Sequence, residues 1–186
     1  MAYNDYSCIE QYKLQPQKSV VIQMESRKKS RLNPIELKMK DTILSNVETA
    51  THLGIKRSKT DKKNIMNTVD ENIKKARRTA YSLMSAGFHG NNGLDPSTSI
   101  HILKTYVIPT ITYGLEVLIP DKKNITRLDC FFKKLLKQIL SLPRNVADPV
   151  PYIISGLIPI KGQIHLKILT FMYNIFLLSE DSTEKK

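Results

Sequence analysis

From residue 61 onward the apolar side chains recur every three or four positions. That spacing does most to limit what the chain can fold into. Over 61–86, Ile65, Val69, Ile73, Ala76, Ala80, Leu83 and Met84 fall on one face, the pattern of an amphipathic helix that must bury its stripe against other elements. Lys62, Lys63, Lys74, Lys75, Arg77 and Arg78 fall mostly elsewhere. Gly87 supplies a stop, since glycine tolerates the left-handed backbone that ends helices. Asp95-Pro96 opens a second helix, with Asp as the cap and Pro at the first position, where no N–H is needed. Its stripe is Ile100, Leu103, Tyr106 and Val107, and Pro109 is expected to break or kink it before the pattern resumes over 110–118.

A third helix opens at Asp121 or Asn124 and ends at Pro143. Ile125, Leu128, Phe131 or Phe132, Leu135, Leu136 and Ile139 form its stripe, and Lys133, Lys134 and Lys137 its basic flank. Pro149 starts a short helix stopped by Gly156. The last helix is expected over 160–179 with Ile164, Ile168, Met172, Ile175 and Phe176 facing inward, followed by a polar tail over 180–186.

The first part of the chain is built differently. Residues 1–14 carry helical spacing, and Pro16 turns the chain at 15–18. Residues 19–24 centre on Val20, Val21 and Ile22 and read as a strand, followed by a basic loop over 25–33. Short strands are expected at 35–37 and 43–44 around a turn at Lys40-Asp41, and a further strand at 51–56. Gly54 in that strand marks a place where another backbone comes close. These strands are too few for an independent sheet. The fold class is therefore mainly α, with a small N-terminal α+β part. Its expected divisions are 1–57, 58–179 and the tail 180–186.

Charge narrows the function. Lys and Arg number 29 against 17 Asp and Glu, a formal net charge of +12 and a sequence pI near 9.7. That excess points to an anionic partner, above all RNA or DNA. Only Cys8 and Cys130 are present, and no apolar leader is seen. A disulfide framework is thus excluded and an intracellular setting, nuclear or cytoplasmic, is expected. No run reaches the roughly 18 apolar residues of a membrane span. His52, His89, His101 and His165 are scattered and stand in no zinc-ligand spacing. Gly90-Asn91-Asn92-Gly93 lacks the Lys and Ser/Thr of a phosphate-cradling loop. No small-molecule site is evident.

Several strings then combine. Residues 12–19 (Tyr-Lys-Leu-Gln-Pro-Gln-Lys-Ser), a strand, and Thr51-His52-Leu53-Gly54-Ile55 resemble, in order, the later palm of a reverse transcriptase of the non-LTR (LINE-like) retrotransposon type. Residues 76–93, Tyr106-Val107-Ile108-Pro109 and Tyr113-Gly114-Leu115-Glu116 resemble that family's helical thumb and the region after it. The resemblance covers about residues 1–178. It implies that Lys18 is the motif D lysine near the incoming nucleotide's phosphates. It implies a short primer-grip hairpin at Leu53, Gly54 and Ile55. It further implies that residues 1–57 are a palm remnant and 58–179 a thumb-like bundle holding a primer-template duplex through Lys74, Lys75, Arg77, Arg78, Lys133, Lys134 and Lys137.

The catalytic aspartates of the family are not matched. Tyr3-Asn4-Asp5-Tyr6 has Tyr6 where a second Asp should stand. Without that pair nothing clamps the Mg²⁺ ions that the full-length family enzyme uses, so the expectation is a truncated, inactive polymerase fragment with no cofactor of its own. A small basic helical module for nucleic-acid binding or protein interaction, with no polymerase link, is the alternative.

Overall fold

The computed structural model describes residues 15–24, 35–39, 42–87 and 93–178. Most of them are helical, with a few short strands. The expected helix tail at 1–14, the loop at 25–33, the Lys40-Asp41 turn and the polar tail lie outside the described residues. The chain forms two compact units, Met1–Asn64 and Ile65–Lys186.

In the first unit a 3-10 turn, Pro16–Lys18, precedes β1 (Val20–Val21). β1 pairs in parallel with β4 (Ser45–Asn46), and β2 (Lys38–Met39) pairs antiparallel with β3 (Thr42–Ile43). The strand expected over 19–24 thus shrinks to two residues, and the paired segment is Lys38–Met39 rather than 35–37. Val20, Ile35, Leu37 and Ile43 are all exposed, and two-stranded ladders that bury so little apolar surface are marginal. β5 (Thr49–His52) and β6 (Ile55–Ser58) are antiparallel, with His52 facing Ile55. The single strand expected at 51–56 is therefore a hairpin, and Leu53-Gly54 is its two-residue turn. Both turn residues have positive φ, 49° and 77°, the signature of the turn whose twist matches paired strands. At the end of β6 the Ser58 hydroxyl donates to Asn64 Oδ1 at 2.9 Å, and the Ser58 N–H donates to the same oxygen.

Among the described residues the second unit contains helices and no strand. α1 (Asp61–Ser85) enters it at Ile65 and ends at Gly87, φ 100°. α2 (Pro96–Ile102) starts where Asp95 Oδ2 accepts the Thr98 N–H at 3.0 Å. It runs on through a π-helical stretch, Leu103–Val107, into α3 (Ile108–Thr112). Pro109 does not break this helix. A proline lacks the N–H of a regular turn and crowds the carbonyl four residues back. The wider π turn, in which the Ile108 N–H reaches Leu103 O, makes room for it. The break lies later, at Tyr113 (ψ 125°) and Gly114 (φ 72°).

α4 (Leu115–Leu118), α5 (Lys122–Ile139), α6 (Pro149–Ser155) and α7 (Ile160–Leu177) complete the unit. Asp121 is the cap of α5, its Oδ1 accepting the Asn124 N–H at 2.9 Å. The core gathers Val69, Ala76 and Ala80 of α1 with Leu103, Val107, Ile111, Leu115, Leu128, Phe132, Leu136, Ile160 and Ile164. One expectation for α7 fails: Ile164 is buried and Ile168 packs on the core, but Met172 and Phe176 are exposed. Their turns of α7 run beyond the bundle that buries Ile160 and Ile164.

Candidate nucleic-acid interface

The apolar stripe of α1 dictates where its charges go. With Val69, Ala76 and Ala80 fully buried, Lys74, Lys75, Arg77 and Arg78 are left exposed. Arg77 lies along α5, its guanidinium carbon 5.5 Å from the centre of the Phe131 ring. There it is held by attraction to the ring face while its N–H groups stay in water. Lys134 of α5 is exposed as well. Lys74 leans on Glu71 at 3.6 Å, a surface pair of small energy. Arg127 is paired with Asp70.

α1 and α5 enclose a furrow. One recess of about 950 Å³ is lined by Tyr81, Cys130, Lys133, Lys134, Lys137 and Arg144, among others. A second, of about 390 Å³, is lined by Ile73, Arg77, Arg127, Phe131 and again Cys130 and Lys134. Because Cys130 and Lys134 line both, the recesses follow one another along α5.

Lys133 and Lys137 face this furrow but are already engaged. Their side chains are only 18% and 12% exposed. Lys133 Nζ donates to Asp129 at 3.0 Å and Asp148 at 2.7 Å. Lys137 Nζ donates to Asp148 at 3.2 Å and to the Val146 carbonyl at 2.6 Å. These bonds tie the segment before α6 onto α5. The Asp148 carboxyl is held below its ordinary range by the hydrogen bonds from Lys133 and Lys137. The Lys133 ammonium is pushed up, first by Asp148 and then by Asp129. Tyr152 donates to Asp129 at 3.0 Å. Burial, then the Asp129 charge, raises its hydroxyl pKa.

The other expected positions fall in the first unit. Lys18 is exposed at the end of the 3-10 turn. Leu53, Gly54 and Ile55 form the hairpin turn and the start of β6, with Leu53 75% exposed at the tip. The ladder after Lys18 and the hairpin ladder are separate sheets. Among the described residues no group of three or more His, Cys, Asp and Glu is placed to hold a metal ion. Nor is any helix among them long and apolar enough to cross a membrane.

Chemically, the furrow offers ammonium and guanidinium donors to an anion. Asp129 and Asp148, which commit two of its lysines, and Tyr152, which donates to Asp129, were not singled out in the sequence. The Asp129–Lys133 spacing of four on a helix was a readable signal for one of them; Asp148 carries no such signal. Comparison of the chain with protein-family models, curated proteins and solved structures found no match.

Proposed function

We propose that this chain binds nucleic acid, as the primer-template-holding part of a reverse transcriptase of the non-LTR type. The observation that carries the reading is the set of exposed cations on the two helices that flank the furrow: Arg77 and Lys134 line it, and Lys75 and Arg78 stand elsewhere on α1. All four are exposed, and none has an ion pair among the described residues. A phosphate backbone lying along the furrow would meet Arg77 and Lys134, and one passing over α1 would meet Lys75 and Arg78, each contact releasing counterions. In this reading the second unit holds the duplex. The Leu53-Gly54 hairpin presents an apolar tip to the primer end, and Lys18 stands near the phosphates of an incoming nucleotide. The 186 residues contain no Tyr-x-Asp-Asp string, so the reading assigns them binding and no phosphoryl transfer.

The test is fluorescence anisotropy with a labelled RNA–DNA hybrid duplex at 50 and 200 mM salt. Binding that weakens steeply with salt, and is lost in Arg77→Glu/Arg78→Glu without loss of helix content, is the expected result. No binding at 50 mM salt would sink the reading. Template-dependent primer extension by the purified chain with Mg²⁺ would refute its non-catalytic half. Duplex binding with no preference for a primer end would favour the rival, a basic helical module with no polymerase link.

A further inference from the structure

α7 has two apolar faces, and the bundle uses only one. Ile160 and Ile164 are buried, and Ile168, two turns on from Ile160, packs against the same core. At 100° per residue, Leu166, Leu169, Tyr173 and Phe176 cluster on the opposite side. Their spacings are three, four and three, the alternation of a helix-packing seam. All four are exposed, by 58%, 64%, 62% and 70%. Residues 169–174 are exposed without interruption. Six consecutive residues point in every direction around a helix, so this segment is uncovered on all sides. No charged residue lies between Lys167 and Glu180.

We propose that this outer seam pairs with the same seam of a second copy of the chain, the two α7 helices running antiparallel. Three observations select this occupant. A 3-4 seam is complementary to another helix, and a two-fold pairing uses one patch on both sides. The antiparallel direction brings Leu166 of one copy opposite Phe176 of the other, and Leu169 opposite Tyr173. It also keeps the two α7 ends that carry Lys161, His165 and Lys167 apart. A parallel pair would set lysine against lysine. Area is the third. The seam with Met172 and Leu177, these two exposed by 48% and 67%, amounts to roughly 550–750 Å² per copy at ~150–200 Å² for a large side chain. That lies just under the ~800 Å² per partner of a standard interface.

Sedimentation equilibrium of the whole chain from 1 to 100 µM reads this directly. The weight-average mass rises from one chain toward two, and Leu169→Glu/Tyr173→Glu keeps it at one chain over the same range with unchanged circular dichroism. Orientation is read by disulfide trapping. A mixture of Leu166→Cys and Phe176→Cys chains cross-links above the background from Cys8 and Cys130, and Leu166→Cys alone does not. A wild-type chain that stays monomeric at 100 µM overturns the proposal. So does a dimer that Leu169→Glu/Tyr173→Glu leaves intact, or cross-linking of Leu166→Cys with itself. A monomer that floats with phosphatidylcholine–phosphatidylserine vesicles overturns it in favour of a lipid surface. None of these outcomes touches the Arg77/Arg78 test of nucleic-acid binding.

Discussion

Asn72 is a buried polar side chain whose loss is expected to cost the helical unit substantially. It sits on α1 with 3% of its surface exposed. Its Nδ2 donates to the Ile111 carbonyl at 3.0 Å and the Tyr113 carbonyl at 2.8 Å. Those carbonyls lie where α3 ends and helical acceptors have no partner within the helix. Asn72 therefore caps that end from a neighbouring helix. Asn72→Ala removes two hydrogen bonds worth about 1 kcal/mol each and strands at least the Ile111 carbonyl in the interior, for a total of about 2–4 kcal/mol. For a unit of this size that lowers Tm by roughly 8–15 °C.

Asn72→Asp is worse at neutral pH, because a carboxylate has no proton to donate and faces two carbonyl oxygens. Burial beside those oxygens raises the folded pKa of the introduced carboxyl above its unfolded value near 4. The excess cost over alanine is therefore full above the raised folded pKa and fades as pH falls toward the unfolded one, where the protonated acid donates again. Urea denaturation followed at 222 nm, at pH 4 and pH 7 for wild type and both variants, separates the effects. An alanine cost below about 1 kcal/mol, or an aspartate cost that ignores pH, would refute the capping argument.

Leu53 holds φ at 49° in the hairpin turn, a conformation that asparagine and glycine adopt more readily. Leu53→Asn is expected to stabilise the hairpin by about 0.5–1 kcal/mol, read as slower amide exchange across β5 and β6; unchanged or faster exchange would remove the strain. Asp148 has a depressed carboxyl pKa, so its tie to Lys133 and Lys137 contributes fully above its ordinary value of 3.8 and is lost as pH falls below it. Melts from pH 7 to pH 2.5 should show a shallower acid loss for Asp148→Asn than for wild type, and equal slopes would contradict the pairing. Lys133→Ala should lower Tm with little effect on nucleic-acid affinity, whereas Lys134→Ala should weaken binding and leave Tm alone; the reverse pattern would exchange the roles assigned to the two lysines.

The helices were legible because their signals are local. Val69, Ala76 and Ala80 recur at helical spacing, and Asp95-Pro96 and Asp121 are caps that act within three residues. Pro109 misled because its effect depends on whether the helix has a residue to spare, and the π turn at Leu103–Val107 supplies one. The run 51–56 reads as one strand or as two about a turn, since glycine between apolar residues serves either. Pairing across the ladder, His52 with Ile55, decides it. Asn64, Thr68 and Asn72, four apart, are all buried. Nothing local in the sequence marks them for burial, since the carbonyls that Asn72 serves come from about 40 residues away. The inward placement of Met172 and Phe176 failed for a related reason. Periodicity shows that a face is apolar but not how far the neighbouring helices extend along it.

Net charge overstates what a polyanion meets. Of the chain's 29 basic residues, Lys59, Lys74, Arg127, Lys133 and Lys137 already face carboxylates in their own fold. If all seven basic positions expected from the sequence contacted phosphate, log K would fall with log salt at a slope of about −6.3 for duplex. If only Lys75, Arg77, Arg78 and Lys134 do, the slope is about −3.6. Between 50 and 200 mM salt the first predicts a loss of several thousand-fold and the second about 150-fold. The gap is wide enough for one salt titration to decide. A slope near −3.6 means that Asp148 keeps Lys133 and Lys137 while duplex is bound. A slope near −6 means that the phosphates displace it, and Asp148→Asn should then tighten binding at every salt concentration.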